Sequence, residues 1–202
     1  MKFINKKKIY VIAFMGVDGA GKSTIIDRLI KKFSKKYEKI KYLHLRPYLF
    51  LTDTRTVIKN PHNKKKINSK IYSFFNILWW LILYRIFFLI NYKKHNKLIL
   101  FDRYAHDLLI DPVRYQFNLK KKLTKYILNF FPEPDVWIVL TASIKKIEKR
   151  KNELSSYELK KQMKMYIDFS KTKKNSFILN TNKSILENLK FLEKKIKLTN
   201  KL

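Results

Sequence analysis

Every glycine of this chain lies in one nine-residue stretch, GVDGAGKST at positions 16–24: Gly16, Gly19 and Gly21. Three glycines in 202 residues leave every other turn to be made by residues with a side chain. A loop that takes all three needs backbone conformations, or a closeness of approach, that a Cβ forbids. Just before it, IYVIAFM reads as a short, continuously apolar strand, buried on both faces. Just after it, KSTIIDRLIKKF places Ile25, Ile26, Leu29, Ile30 and Phe33 on one helical face. Strand, glycine loop and helix in that order form one local unit, and it fixes much of what the chain can become.

The loop fits G-x-x-x-x-G-K-[ST], the pattern that cradles phosphate. Glycine lets successive N–H groups turn inward to form an anion-binding concavity. The following helix offers its free N–H groups and the positive end of its dipole. Gly16, Val17, Asp18, Gly19, Ala20, Gly21, Lys22, Ser23 and Thr24 are therefore the candidate nucleotide-binding residues. Lys22 reaches the β- and γ-phosphates of ATP, and the Ser23 hydroxyl ligates Mg²⁺. With the chain's own residue frequencies, chance supplies this pattern at about four positions in a million.

The rest of the chain alternates. Apolar strand candidates fall at 8–14, 40–45, 97–101, 135–140 and 176–179. Helical patterns fall near 22–37, 69–93, 119–131, 143–151, 155–173 and 184–197. Ser155 with Glu158, and Ser184 with Glu187, have the spacing of capping boxes. Alternation of this kind predicts an α/β fold, a five-stranded parallel sheet with helices on both faces. Substrates then bind at the carboxyl ends of the strands. No internal repeat divides the chain, so residues 1–202 are expected to form one domain, with a mobile basic loop at about 52–68.

Composition excludes several classes. There is no cysteine, so disulfides and thiolate metal sites are ruled out, and the four histidines lack a zinc spacing. The net charge of +31 comes mainly from lysine scattered along the whole chain, and none of the nucleic-acid signatures occurs. A specific nucleic-acid partner is not expected, although the charge suits a phosphorylated substrate. The start, MKFINKKKIYVIAFMGV, has the order of a signal peptide, but its apolar run is short and leads directly into the glycine loop. A cytoplasmic protein is the expectation.

A second motif narrows the chemistry. In LILFDRY, Asp102 ends an apolar strand, where its carboxylate can orient the Mg²⁺ shell. Arg103 follows it, and an arginine there suits a second, acceptor phosphate held by charge-assisted bonds. A GTPase needs a glycine in its D-x-x-G switch, and no glycine remains for one.

Taken together, FMGVDGAGKST, LRP at 45–47, LILFDRY, PDVWIVL at 134–140 and a late basic helix with Arg150 resemble thymidylate kinase and its relatives. The resemblance spans most of the chain in order. It implies an ATP-dependent nucleoside monophosphate kinase of nucleotide biosynthesis, converting dTMP and ATP to dTDP and ADP with Mg²⁺. It further implies that Asp18 lies near the acceptor and the phosphates, and that Arg46 and Arg103 hold the acceptor phosphate. By the same resemblance Arg85 reads the base edge and Arg150 is supplied from a lid at about 143–160, so that Lys22, Asp18, Arg103 and Arg150 are the expected catalytic set. The chain departs from the family pattern in LRPYLF, which lacks a glycine pair, and at Leu81, where an aromatic would stack on the base; Trp80 or Tyr84 could substitute. The stretch AHDLLIDPVRYQF after the second motif also differs, and resembles a branch whose acceptor is uncertain. Two alternatives therefore stand beside dTMP: a kinase of the same fold acting on a sugar phosphate or other envelope precursor, and a non-catalytic nucleotide-binding or membrane-surface protein.

One segment stands apart. IYSFFNILWWLILYRIFFLI at 71–90 is twenty residues with one charge, long enough to span a bilayer. Arg85 would cost about 2.5–3.5 kcal/mol at mid-bilayer. A span would also place the glycine loop and the LILFDRY strand on opposite sides of a membrane. A largely buried core helix is the expectation; left partly exposed, it could form a homodimer face or a peripheral membrane contact.

Overall fold

The computed structural model describes residues 9–47, 67–92, 97–151 and 154–199. The basic loop expected at about 52–68 lies almost wholly outside them. Five strands carry the architecture: β1 Ile9–Met15, β2 Lys39–His44, β3 Lys97–Asp102, β4 Val136–Thr141 and β5 Ser176–Asn180. They form one sheet in the order β2-β3-β1-β4-β5, with every pairing parallel. The helices are α1 Lys22–Phe33, α2 Lys70–Tyr92, α3 Asp107–Ile110, α4 Lys121–Leu128, α5 Ile144–Arg150, α6 Ser156–Lys171 and α7 Ile185–Thr199. This is the α/β arrangement expected from the alternation, with strand ends within one or two residues of those read from the apolar runs.

Burial follows position in the sheet. Tyr10–Met15 of β1 and all of β3 are buried, as are five of the six β4 residues, because these inner strands have neighbours on both sides and helices on both faces. The outer strands β2 and β5 are more exposed. α1 turns Ile25, Ile26, Leu29 and Phe33 inward, on the face its periodicity marks. Both capping boxes form: Ser155 Oγ accepts the Glu158 N–H at 3.2 Å, and Ser184 Oγ accepts the Glu187 N–H at 3.2 Å.

Two features depart from expectation. The stretch after β3 is not a plain loop: α3 and a 3-10 turn at Val113–Tyr115 fold it back toward the sheet end. And α2 is buried along one side only. Ser73, Ile77, Trp80, Leu83, Tyr84, Phe87 and Asn91 face the core, whereas Tyr72, Phe75, Trp79, Ile82 and Leu89 are exposed. The largely buried helix is thus corrected to a half-buried one. By length and composition it could cross a membrane. Yet it connects β2 to β3, which pair in parallel, so it packs back along the sheet that its flanking strands build.

The glycine loop follows β1, and Asp102 with Arg103 follows β3. These strands are neighbours, and their outgoing connections run in opposite directions, β1 to β2 and β3 to β4. The crevice beyond the carboxyl ends of two such strands is where an open α/β sheet binds its ligand.

Candidate active site

All three glycines take positive φ: 142° at Gly16, 79° at Gly19 and 92° at Gly21. At Gly16 a Cβ would stand 2.7 Å from the Leu140 carbonyl oxygen, so the loop can lie against β4 only without a side chain. Gly21 is the N-cap of α1, in left-handed conformation, and releases the helix N-terminus toward the crevice. Lys22 Nζ donates to the carbonyls of Gly16 at 2.8 Å and Val17 at 3.0 Å, which folds the ammonium over its own loop. The loop is also tied from outside. Thr181 Oγ1 donates to the Ala20 carbonyl at 2.9 Å, and Arg150 donates to that of Gly19 at 3.1 Å.

Among the described residues three others also have positive φ, Leu45, Arg103 and Gln116. The first two follow β2 and β3, and the Leu45 N–H donates to the Asp102 carbonyl at 2.9 Å. Left-handed backbone in residues with a side chain persists where the surroundings over-determine it. At Arg103 they do. Its guanidinium bonds the carboxylates of Asp107 and Asp18 at once, and lies 3.1 Å from the Tyr166 hydroxyl. The residue is 1% exposed. Those bonds use three of its five N–H groups.

Asp18 is the hub on the loop side. Its carboxylate accepts from Arg103 and from Arg114, and from Lys151 Nζ at 3.3 Å; Lys22 Nζ stands 3.9 Å away. Burial alone would raise the Asp18 pKa, but Arg103, Lys22, Arg114 and Lys151 together outweigh it and hold the carboxyl far below the usual range. Asp107 is the second anion. Burial again opposes its charge, and is overcome by Arg103 and by hydrogen bonds from the Tyr115 and Tyr166 hydroxyls, so this carboxyl too is lowered. For Lys22, burial first, then the neighbouring Arg103, push the pKa down to about 8, against the pull of Asp102, Asp18 and Asp107. A phosphate arriving beside Lys22 would raise its pKa again and strengthen the ammonium's hold.

These groups border one cleft of about 530 Å³, lined by the loop residues Asp18, Gly19, Gly21, Lys22, Ser23 and Thr24. Asp102, Arg103, Arg114, Arg150 and Lys151 line it as well, with Tyr42 and His44 from β2. The Asp102 carboxylate accepts from the Tyr42 hydroxyl at 3.1 Å through Oδ2. Its other oxygen, Oδ1, is buried with no hydrogen-bond partner among the described residues. A buried carboxylate oxygen without a donor is a position for a cation. Ser23 lines the same cleft, so the donor set fits a Mg²⁺ that keeps much of its water. Among the described residues no group of three His, Cys, Asp or Glu side chains converges to hold a metal by itself.

Of the residues singled out in the sequence, Asp18, Lys22, Ser23, Asp102, Arg103 and Arg150 come together at this cleft. Arg85 does not. It is exposed on α2, outside the lining of this cleft, and donates to the Phe130 carbonyl at 2.9 Å. Arg46 lies over the Trp80 ring, 5.7 Å from its centroid. Trp80 and Tyr84, offered as stacking aromatics, are core residues; Tyr84 is fully buried and bonds the Leu45 carbonyl. Sequence reasoning missed Arg114, Asp107, Tyr115 and Tyr166 as site residues. Asp107 stands four residues beyond Arg103, a spacing that could have signalled the pair, whereas Tyr166 arrives from α6 by packing alone.

No protein-family model and no curated protein matches this chain. Solved structures do. Thymidylate kinase from Candida albicans superposes with a TM-score of 0.63 at 18% identity, over 96% of this chain and 94% of that one. Thymidylate kinase from Ehrlichia chaffeensis gives 0.59 at 14% identity, over 94% and 99%. Deoxyadenosine kinase from M. mycoides, with dATP bound, gives 0.56 at 19% identity, over 93% and 99%. The likeness is one of fold: the chain has the α/β phosphate-loop kinase fold.

Proposed function

We propose that this chain is an ATP-dependent phosphotransferase of the nucleoside monophosphate kinase type, using Mg²⁺, with dTMP as the first acceptor to test. The observation that carries the proposal is the double cation array of the cleft. Lys22 in its glycine loop is one half, and Arg103 with Arg114, gathered by Asp18, is the other. A nucleotide hydrolase has use for the first array; a second one suits a second phosphate. The resemblance to thymidylate kinases in motif and in fold supports the same reading.

The chemistry asked of these residues is positioning and neutralisation. Phosphoryl transfer runs in line through a loose transition state, and an acceptor phosphate is already anionic, so no strong base is required. Mg²⁺ would be held by Ser23 and Asp102, and would supply positive charge against the phosphates. Lys22 leaves the carbonyls of Gly16 and Val17 for the transferring group. Arg103 is fixed between Asp18 and Asp107, so its remaining N–H groups meet the acceptor without reorganisation. Arg150 stands on the Gly19 carbonyl at the mouth of the lid helix α5, where a small movement brings it over the transferring phosphoryl. In this mechanism Arg114 joins Arg103 as the second acceptor-side arginine, the place the resemblance gave to Arg46.

A second reading keeps the reaction and changes the acceptor to a sugar phosphate. It is favoured by the position of Arg85, outside the cleft, and by the absence of Trp80 and Tyr84 from its lining. ADP release from ATP-Mg²⁺ against a panel of nucleoside monophosphates, nucleosides and sugar phosphates tests both. Acceptor-dependent turnover with dTMP supports the first reading, and turnover with sugar phosphates alone supports the second. ATP binding without turnover on any acceptor would point to a nucleotide-binding protein without kinase activity.

A further inference from the structure

The exposed side of α2 is not a random scatter of apolar residues. Tyr72, Phe75, Trp79, Ile82, Ile86 and Leu89 recur at spacings of three and four, one stripe along the helix, opposite the buried stripe of Ile77, Trp80, Tyr84 and Phe87. Phe75 is 63% exposed, Trp79 54% and Leu89 71%. The helix is apolar all round: one face covers the sheet, and the other is covered by nothing among the described residues. Isolated exposed apolar residues are ordinary, but a continuous stripe about 25 Å long is not.

The surroundings of the stripe identify the partner. α4 packs beside α2, and Arg85 of α2 donates to the carbonyl of Phe130, two residues past the end of α4. The outer side of α4 carries Leu123 and Tyr126, with Phe130 just beyond it and Lys121, Lys122 and Lys125 among them. Neither α2 nor the segment 119–131 around α4 contains an aspartate or a glutamate. The patch is therefore aromatic and aliphatic, with Arg85 and the α4 lysines beside it and no carboxylate of its own elements to neutralise them. A second copy of this chain, also of charge +31, would bring the same cations against them. An anionic lipid surface supplies the opposite charge and an apolar layer for the stripe, and Tyr and Trp settle at that boundary.

We infer that the α2–α4 face docks this protein peripherally on anionic membrane surfaces. The inference stands apart from the kinase reading, since it uses no residue of the cleft. The chain carries its own probe. Of its three tryptophans, Trp80 and Trp137 are buried at 4% and 1% exposure, and Trp79 is exposed. Titrating the wild-type protein with phosphatidylcholine vesicles containing phosphatidylglycerol should blue-shift the emission and protect it from an aqueous quencher. Vesicles of phosphatidylcholine alone should do neither. Each lysine near an anionic surface is worth about fivefold in binding, so replacing Lys121, Lys122 and Lys125 together by Gln should weaken binding on the order of a hundredfold. Salt at about 1 M should release the protein. Phe75→Glu, on the exposed side, should abolish docking while circular dichroism stays unchanged. Emission that ignores anionic vesicles, binding that is equal on neutral ones, or recovery only in detergent would overturn the inference. So would a sedimentation dimer that Phe75→Glu dissociates in a protein that binds no vesicle.

Discussion

Replacing Asp18 by Asn removes one charge and almost no volume, yet it should destabilise the whole cleft. Asp18 is the one carboxylate shared by Arg103, Arg114 and Lys151, with Lys22 3.9 Å away. The Arg103 and Arg114 side chains are only 2% and 9% exposed, so neither is well hydrated once its partner is neutral. Breaking a buried pair by removing one partner costs about 3–5 kcal/mol. Lys151 is 36% exposed and turns to water, and Arg103 keeps Asp107, which places the loss at the low end, about 3 kcal/mol. For a chain of this length that is a fall in Tm of about 6–12 °C. The pH dependence is set by the sign of the shift. A carboxyl lowered from its ordinary value of 3.8 contributes in full above that value, and its contribution is lost only as pH falls through the lower folded value. The penalty should therefore be the same at neutral pH and in mildly acidic buffer. The vacated cations should also make the variant bind inorganic phosphate more tightly than the wild type, so that phosphate restores part of the lost stability. Urea unfolding of both proteins with and without phosphate measures all of this. A penalty below about 1 kcal/mol, or equal stabilisation of both proteins by phosphate, would refute the hub assignment.

With Lys22 lowered to about 8 in the free protein, nucleotide affinity should be flat below that pH and weaken about tenfold per unit above it, with proton uptake on binding; a flat profile to high pH would contradict the burial argument. Gly16→Ala should be worse than Gly21→Ala in both stability and nucleotide binding. Both incur the strain of positive φ, about 1–3 kcal/mol, but only at Gly16 does the new Cβ meet a backbone oxygen at 2.7 Å, and equal urea midpoints would refute the distinction. Arg114→Ala should raise the acceptor KM, whereas Arg150→Ala should lower kcat with little change in that KM, by as much as about 10³-fold if Lys151 does not compensate; steady-state kinetics showing the reverse would exchange their roles.

How much of the molecule was legible in the sequence differs by element. β1, β3 and β4 were readable because inner parallel strands must be apolar on both faces, and each ends in a motif or a turn. The glycine loop was readable because three positive φ values within six residues, with the Leu140 carbonyl oxygen 2.7 Å from where a Gly16 Cβ would stand, favour glycine there. Asp102 and Arg103 were found through their place at a strand end. Arg114 was not, since its arrival depends on α3 and the 3-10 turn, four and three residues long, too short for any periodicity to mark. Tyr166 lies on α6 with nothing local to announce that its hydroxyl reaches Asp107. Arg85 shows the opposite failure. The resemblance chose it as the arginine on the helix before the third strand, and the helix turns that position to the outside. The same apolar composition that suggested a core helix concealed two faces, because mean hydropathy does not distinguish a residue that packs on the sheet from one that waits for a partner.

The central claim is that this cleft moves a phosphoryl group from ATP to a second phosphate. It is tested most directly by tracking γ-labelled ATP-Mg²⁺ in a single turnover with excess protein, with and without dTMP or the best acceptor of the panel. The predicted result is label in the acceptor diphosphate, none transferred or released without acceptor, and none in either case with Lys22→Ala. Label released as inorganic phosphate at one rate whether or not an acceptor is present would make the protein a hydrolase and contradict that claim.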